Sequence, residues 1–337
     1  MTLTYHSPKK FIERITKMSP QNKFRITKIR SAGAGGSLPV VEPTENLDPV
    51  EWVKANRELF EDFLSTQGGI LLRGFDIHSL SEFNKFSQAC SPALLEYTYR
   101  STPRTRLGGK VYTATEYPAD QHIAFHNENS YSKQWPSRIN FFCLIAARRG
   151  GETPIADSRK VLSRIDKDII ESFKSKGVKY VRNYSSNIDL SWQEVFQTTN
   201  KSDVEEFCRA NDIEFEWKDG PVELTTSQIC QATTIHPKTK QEVWFNQAHL
   251  FSTKNLESTL REQLISELGE KNLPRGTYYG DGSHIEDSII DHINAAYAQE
   301  QIVFKWQKGD IMALDNLLMA HGRNPYEGER KIAVTMG

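Results

Sequence analysis

A histidine and a glutamate two positions apart, His126 and Glu128 in the stretch FHNENSY, are the first residues whose types and spacing indicate chemistry. In an extended segment, the side chains at positions i and i+2 project to the same side, so both can reach one metal ion. Two ligands do not complete a metal site, and a hydrogen-bonded polar turn before a strand has the same composition. The pair alone therefore leaves both interpretations open.

Two kinds of metal site use such a pair. Zinc nucleobase deaminases combine HxE with a following PCxxC, which this chain lacks. The remaining candidate is the facial triad of non-haem iron, in which two histidines and one carboxylate bind the metal. The wide spacing of the cysteines predicts reduced thiols rather than a disulfide framework or a structural zinc site. These cysteines are Cys90, Cys143, Cys208 and Cys230.

A third ligand would be a distant histidine, and His321 is the best candidate. It follows GDIMALDNLLMA, a predicted strand and turn, and precedes a loop that leads into the closing strand. In a jelly roll, late strands lie beside earlier ones, so the long separation from His126 is no obstacle. The remaining histidines are better explained as surface or hydrogen-bonded core residues: His6, His78, His122, His236, His249, His284 and His292.

The closing strand, RKIAVTM, carries an arginine on its apolar side. Alternation places Ile332, Val334 and Met336 on one face, and Arg330 shares their parity. A guanidinium directed toward a core is unfavourable unless it meets an anion, and a carboxylate can accept two hydrogen bonds from it. Arg330 is thus either an anion-binding residue or a strand-end residue that extends to solvent.

The elements that must position these residues are a mixture of helices and short strands. Helices are predicted at 48–67, 158–174, 255–268 and 286–300, and strands at 69–75, 139–145, 242–247, 301–306, 310–314 and 330–336. The second half has turns between short strands and no regular βαβ alternation, which favours an antiparallel sandwich or jelly roll over a doubly wound sheet. Residues 1–45 are predicted to form an N-terminal extension, flexible at 31–39, and residues 46–337 a single domain.

Composition excludes several classes of protein. The formal net charge is -1 and the pI about 6.8, so no basic field indicates a nucleic-acid partner. The sequence contains neither an apolar run long enough to span a bilayer nor a secretory signal, which predicts a cytoplasmic protein without a membrane partner. The glycines of SAGAGGSLP lack the GK[ST] ending of a phosphate loop.

Four blocks together resemble a known family. HNE at 126–128, GGETPIADSR at 150–159, WFNQAHLF at 244–251 and GDIMALDNLLMAHGRNPYEGERK at 309–331 occur in the order found in the taurine dioxygenase/clavaminate synthase-like superfamily. The members of this superfamily are Fe(II)- and 2-oxoglutarate-dependent oxygenases, and the resemblance spans roughly residues 65–337. HxE in place of HxD makes the chain most similar to syringomycin-type amino-acid hydroxylases.

The resemblance implies a fold and a set of site residues. The fold is a double-stranded β-helix, or jelly roll, with flanking helices. The implied iron ligands are His126, Glu128 and His321. The resemblance also implies that Thr153 lies near the 2-oxoglutarate carboxylate that chelates iron, and that Arg330 pairs with the distal carboxylate. Arg323 is the other arginine after His321 and the alternative for that role.

The implied activity uses Fe(II), 2-oxoglutarate and O2 to oxidise an unactivated C–H bond, most simply by hydroxylation. The expected substrate is an amino acid or a derivative of one, free or tethered to a peptidyl carrier protein, in antibiotic or other natural-product biosynthesis. Desaturation, epoxidation and cyclisation remain open. So do two other functions: a sulfonate or aryloxyacetate catabolic dioxygenase, and a non-catalytic jelly-roll binding protein.

Overall fold

The computed structural model describes residues 23–30, 36–91, 93–185, 188–256 and 258–337. Within these ranges the α-helices are α1 (Pro49–Ala55), α2 (Arg57–Gln67), α3 (Leu80–Cys90), α4 (Ser158–Arg164), α5 (Lys167–Lys176), α6 (Trp192–Phe196), α7 (Lys201–Ala210), α8 (Ala248–Phe251), α9 (Ser258–Leu268) and α10 (Asp287–Glu300). Short 3-10 helices cover Thr253–Asn255 and Glu270–Asn272.

The first half of the described chain contributes strands β1 (Phe24–Arg30), β2 (Ser37–Pro43), β3 (Gly69–Leu72), β4 (Arg106–Gly108), β5 (Val111–Thr113), β6 (Ile123–His126), β7 (Arg138–Ile145), β8 (Arg149–Gly150) and β9 (Ile155–Asp157). The second half contributes β10 (Val178–Tyr184), β11 (Glu214–Trp217), β12 (Leu224–Cys230), β13 (Thr233–Ile235), β14 (Glu242–Trp244), β15 (Arg275–Tyr279), β16 (Gln301–Ile302), β17 (Ile311–Asp315), β18 (Met319–Arg323), β19 (Tyr326–Glu327) and β20 (Lys331–Met336).

Two sheets enclose the central core. The major sheet has the order β1-β2-β3-β17-β7-β20-β5-β4, and the minor sheet has the order β16-β9-β18-β6. Side chains from both sheets form one apolar cluster, in which Phe141 of β7 and Met312 of β17 meet Ile155 of β9. The predicted jelly roll with flanking helices is confirmed.

Alternation along β20 explains how this sheet is buried on both faces. Ile332, Val334 and Met336 belong to the cluster between the two sheets, whereas Ala333 faces the cluster formed with α1, α2 and α3. The parity predicted for the apolar face is therefore confirmed. Arg330 immediately precedes β20. Its even-numbered position places it on the same side of the chain as the residues that face the interior.

A further layer covers the minor sheet on its other side. The sheet β11-β12-β10-β15 and the helices α4, α7 and α10 share one apolar cluster with Phe125 of β6 and Ala320 of β18. Two small ribbons, β13-β14 and β19-β8, complete the described strands. The minor sheet is thereby buried on both faces, which fixes the segments that carry His126 and His321.

The predicted helix at 48–67 divides in two. Asp48 caps α1 by accepting hydrogen bonds from the backbone N–H groups of Val50 and Glu51, and Gly68 ends α2 with a left-handed φ of 78°. Between them Asn56 leaves helical geometry. The helix predicted at 158–174 also divides, into α4 and α5, and the strand predicted at 301–306 is only the two-residue β16. Local propensity located these elements but not their interruptions.

The N-terminal region contributes to the sheet. β1 pairs antiparallel with β2, and β2 pairs parallel with β3. Residues 37–39 of the segment predicted to be flexible thus begin a strand, whereas 31–35 lie outside the described residues. The domain boundary at residue 46 stays a prediction.

All four cysteines are buried free thiols, and burial raises the pKa of each to about 12. None of the described helices is long and apolar enough to cross a membrane.

Candidate active site

Strand pairing brings two distant histidines together. β18 lies antiparallel to β6 with His321 directly opposite His126, and the two ring centroids are 4.4 Å apart. Glu128 lies two residues beyond β6, in a turn rather than in the extended segment assumed from the sequence. One ligand atom from each of the three residues falls within 4.8 Å of the others. Among the described residues, no other cluster of three His, Cys, Asp or Glu side chains is close enough to bind one metal ion.

The backbone around Glu128 is held by Asn316, in the connection between β17 and β18. Its Oδ1 accepts from the Glu128 N–H at 2.7 Å, and its Nδ2 donates to the Glu128 carbonyl at 3.0 Å. Asn127 in turn donates to the Asn316 carbonyl at 2.6 Å. The segment that carries His321 therefore also fixes the turn that carries Glu128, so all three side chains share one scaffold.

The two histidines are suited to bind a metal as neutral rings. His126 Nδ1 is 2.9 Å from the Ala124 carbonyl, which can only accept, so the lone pair of this ring lies on Nε2. Burial lowers the pKa of His126 although Glu128 opposes it, and burial with the charges of His126 and Arg104 lowers that of His321 further. Two neutral imidazoles and one carboxylate fit the facial ligand set of non-haem iron.

A cavity next to the histidines leads to Arg330. Its lining includes Phe141, Thr153 and Arg330 together with His126 and His321. The Arg330 guanidinium donates through Nε to the Gly151 carbonyl at 2.8 Å and through Nη2 to Thr153 Oγ1 at 3.2 Å. Thr153 Oγ1 also accepts from Trp306 Nε1 at 3.0 Å.

Arg330 is a largely buried cation without a carboxylate partner in the part of the chain that is described. Burial, with the nearby charge of Arg323, lowers its pKa to about 10. Arg323, the alternative suggested by the sequence, instead donates to the carbonyls of Tyr117, Pro118 and Gln121 at 2.8, 2.5 and 2.7 Å. Arg323 therefore holds a loop, although it also lines the cavity, and Arg330 is the better candidate for binding an anion.

The structure also shows a contact that the sequence did not suggest. Arg104 Nη2 donates to Glu128 Oε2 at 2.6 Å, and both side chains are almost completely buried. The stretch TYRSTPRTR contains three arginines, and no local pattern distinguishes Arg104 from the other two. Only the tertiary contact with Glu128 identifies it. Asn316 was equally unmarked, although it lies within a block that carries the family resemblance.

Other histidines are accounted for by ordinary partners. The buried His249 donates from Nε2 to the Phe125 carbonyl at 2.7 Å and packs on Tyr297. His236 Nε2 lies 2.9 Å from Asp315 Oδ2. Neither belongs to the group formed by His126, Glu128 and His321, in agreement with their interpretation as structural residues.

A His–Glu–His group lies inside a jelly roll, and the cavity lined by its two histidines is also lined by the buried Arg330. This arrangement fits the class of metal-dependent oxygenases that use an anionic cosubstrate. The comparison with known families agrees. The Taurine catabolism dioxygenase TauD, TfdA family matches residues 35–336, and the chain belongs to this family. It is a 2-oxoglutarate-dependent non-haem iron dioxygenase, whose cofactor is Fe(II) and whose cosubstrates are 2-oxoglutarate and O2.

Individual relatives cover most of the chain. The dapdiamide synthesis protein DdaC of Enterobacter agglomerans is 45% identical over 82% of this chain and 84% of its own length. A clavaminate synthase-like protein of Arabidopsis thaliana is 28% identical over 84% of this chain and 86% of its own.

Solved structures share the fold at low identity. PvcB from Pseudomonas aeruginosa has a TM-score of 0.54 at 12% identity, covering 95% of this chain and 93% of its own. An asparagine oxygenase in complex with Fe(II), 3-hydroxyasparagine and succinate has a TM-score of 0.52 at 13% identity, covering 84% of this chain and 79% of its own.

Proposed function

We propose that this enzyme oxidises an unactivated C–H bond, most simply by hydroxylation, in an amino acid or amino-acid-derived substrate of a natural-product pathway. The observation that carries the proposal is the His126, Glu128 and His321 group beside the largely buried Arg330. The similarity to DdaC, a protein named for dapdiamide synthesis, supports the kind of pathway. The structural likeness to an asparagine oxygenase agrees with an amino-acid substrate.

In this proposal, His126, Glu128 and His321 hold Fe(II), which supplies, with 2-oxoglutarate and O2, the oxidising power for C–H cleavage. Arg330 pairs with the distal carboxylate of 2-oxoglutarate. Thr153 is assigned differently from the sequence-based expectation. Its hydroxyl accepts a hydrogen bond from Arg330 Nη2 at 3.2 Å, which supports a place beside the distal carboxylate rather than beside the carboxylate that chelates iron.

Apolar side chains line part of the site. Phe141 packs its edge against His321 at a centroid distance of 5.1 Å, and Ile123 lines the same cavity. Low dielectric around Arg330 strengthens its attraction for a carboxylate. The neutral histidines leave positive charge on a bound Fe(II), which favours the dianionic 2-oxoglutarate over neutral ligands.

The substrate class, the cellular location and the domain boundaries of the enzyme are also proposals. A carrier-tethered aminoacyl group is the main alternative to a free amino acid, and a sulfonate or aryloxyacetate substrate is a second candidate because the family is named for taurine catabolism. Four buried free thiols agree with a cytoplasmic location. Residues 46–337 are proposed to form the single oxygenase domain.

Substrate-stimulated succinate release from 2-oxoglutarate tests the function. The panel contains free amino acids, aminoacyl groups on a peptidyl carrier, sulfonates and aryloxyacetates, each with Fe(II) and O2. Stimulation by an amino acid or its tethered form is expected, and stimulation by a sulfonate or aryloxyacetate alone would establish the catabolic alternative.

The controls are two histidine variants. His321→Ala should abolish succinate release, whereas His284→Ala, at an exposed histidine outside the site, should not change it. Binding of 2-oxoglutarate without any succinate across the panel would favour a non-catalytic binding protein.

A further inference from the structure

The contact between Arg104 and Glu128 joins a buried cation to a proposed metal ligand. Arg104 lies between α3 and β4, and its side chain is 4% exposed. Its Nη2 donates to Glu128 Oε2 at 2.6 Å, the length of a strong charge-assisted hydrogen bond. The carboxylate itself is 3% exposed, so water does not weaken the pair.

The guanidinium has few other partners. It lies over the Tyr97 ring at 4.5 Å, and its Nη1 contacts Met336 Sδ at 4.0 Å. Its buried Nε has no hydrogen-bond partner within the described residues. Separating this cation from Glu128 would leave two buried charges without compensation, which is strongly unfavourable. Arg104 is therefore expected to stay with Glu128.

The two oxygens of the Glu128 carboxylate are consequently not equivalent. Oε2 is bound to Arg104, whereas Oε1 makes no hydrogen bond with the described residues. The backbone of Glu128 is fixed independently by Asn316 at 2.7 and 3.0 Å. The side chain is thus restrained at its backbone and at Oε2, and a rotation that turns Oε2 toward the same ion as Oε1 would weaken the bond to Arg104.

We propose that Arg104 is a positioning residue that reserves Oε2 of Glu128 and leaves Oε1 as the one oxygen for the metal. This inference rests on the metal site proposed above. Carboxylates bind metal ions through one oxygen or through both. A facial triad leaves three positions, of which 2-oxoglutarate needs two and O2 one. A second oxygen from Glu128 would occupy one of them and compete with 2-oxoglutarate.

The experiment measures two affinities by calorimetry, that of the full-length protein for Mn(II) and that of the Mn(II)-loaded protein for 2-oxoglutarate. Arg104→Met removes the charge and the donors while keeping an unbranched apolar side chain. Its Mn(II) affinity should be no weaker than wild type, because a nearby positive charge is lost. Its 2-oxoglutarate affinity should fall by about tenfold or more, equivalent to about 1.4 kcal/mol.

Two further variants separate positioning from packing. Arg104→Lys keeps a charged donor for Oε2 and should recover part of the 2-oxoglutarate affinity. Arg100→Met is the matched control, because Arg100 lies in the same loop and donates to Gln197 at 3.0 Å without contacting Glu128. It should bind both ligands as wild type does. A crystal structure of the Arg104→Met protein with Mn(II) should show both Glu128 oxygens on the metal.

Wild-type 2-oxoglutarate affinity in folded Arg104→Met would overturn the proposal, and so would loss of Mn(II) binding in that variant. If Arg104→Met does not fold, Arg104→Lys carries the test. Intermediate 2-oxoglutarate affinity with unchanged Mn(II) affinity is then expected, and any other combination overturns the inference. Failure of the wild-type protein to bind Mn(II) and 2-oxoglutarate refutes the proposed function instead.

Discussion

Removal of Arg330 should weaken 2-oxoglutarate binding by an amount that can be worked from its surroundings. Burial and the neighbouring Arg323 lower the pKa of Arg330 to about 10, although the charge of Glu152 partly opposes them. Among the described residues, no carboxylate forms an ion pair with Arg330. One pKa unit corresponds to about 1.4 kcal/mol, so the lone cation is destabilised by about 3 kcal/mol. A carboxylate that relieves this penalty binds roughly 100-fold more tightly than it would without the arginine.

The test variant is Arg330→Met, which keeps the apolar stem of the side chain. The affinity of the Mn(II)-loaded protein for 2-oxoglutarate should fall by roughly 100-fold, whereas its affinity for Mn(II) should stay near the wild-type value because Arg330 contacts none of the three proposed ligands. Arg148→Met is the control, because Arg148 is exposed and pairs with Glu327 at 3.2 Å. Calorimetry under identical conditions gives both affinities.

Equal 2-oxoglutarate affinity in folded Arg330→Met and wild-type protein would refute this reasoning and transfer the role to Arg323 or to another residue. Loss of Mn(II) affinity in the same variant would refute it in a different way. It would show that Arg330 supports the metal site rather than the cosubstrate.

Three other predictions concern the ligands and a buried histidine. His321→Ala should lose stoichiometric Fe(II) binding, whereas His249→Ala should retain it, as measured by metal analysis after gel filtration. Wild-type product formed in chloride or bromide should carry added oxygen or an unsaturation and no halogen in mass spectra, because Glu128, as the proposed carboxylate ligand, would take the position that a halide needs. Burial lowers the pKa of His249 to about 4, so the unfolded chain binds a proton more readily. The free energy of unfolding should therefore fall below about pH 6.5, with roughly 2–3 kcal/mol lost through this group by about pH 4.5.

Each of these predictions can fail in a defined way. Iron binding that survives His321→Ala but not His249→Ala would mean that the third ligand is wrong. A halogen isotope pattern from the wild-type enzyme would refute both the role of Glu128 and the reaction class. An unchanged slope of stability against pH in His249→Phe, measured by urea unfolding, would contradict the buried neutral state of that ring.

Short-range patterns determined much of the fold. The alternation in KIAVTM predicted which residues of β20 face the interior, and Asp48, Pro49 and Gly68 predicted the ends of the helical region. These signals are local because capping and strand alternation depend on residues within a few positions of one another. The break at Asn56 was not predictable in this way, because α1 packs mainly against α3, whereas α2 packs against β2, β3 and β17 of the major sheet.

The residue types of the candidate site were likewise visible in the sequence, because a facial triad needs two imidazoles and one carboxylate whatever surrounds them. The HNE motif and a late histidine before the closing strand made His126, Glu128 and His321 candidates, and the family resemblance implied that the three act together. The same alternation selected Arg330, without deciding whether it faces solvent or an anion.

Tertiary structure alone decided what surrounds these residues. The pairing of β6 with β18 places His126 opposite His321, and Asn316 and Arg104 reach Glu128 from segments far away in the chain. Such contacts depend on how sheets and loops pack, and a single sequence carries no local pattern for them. The types of the candidate ligands were therefore determined by the sequence, and the contacts that restrain Glu128 were determined by the fold.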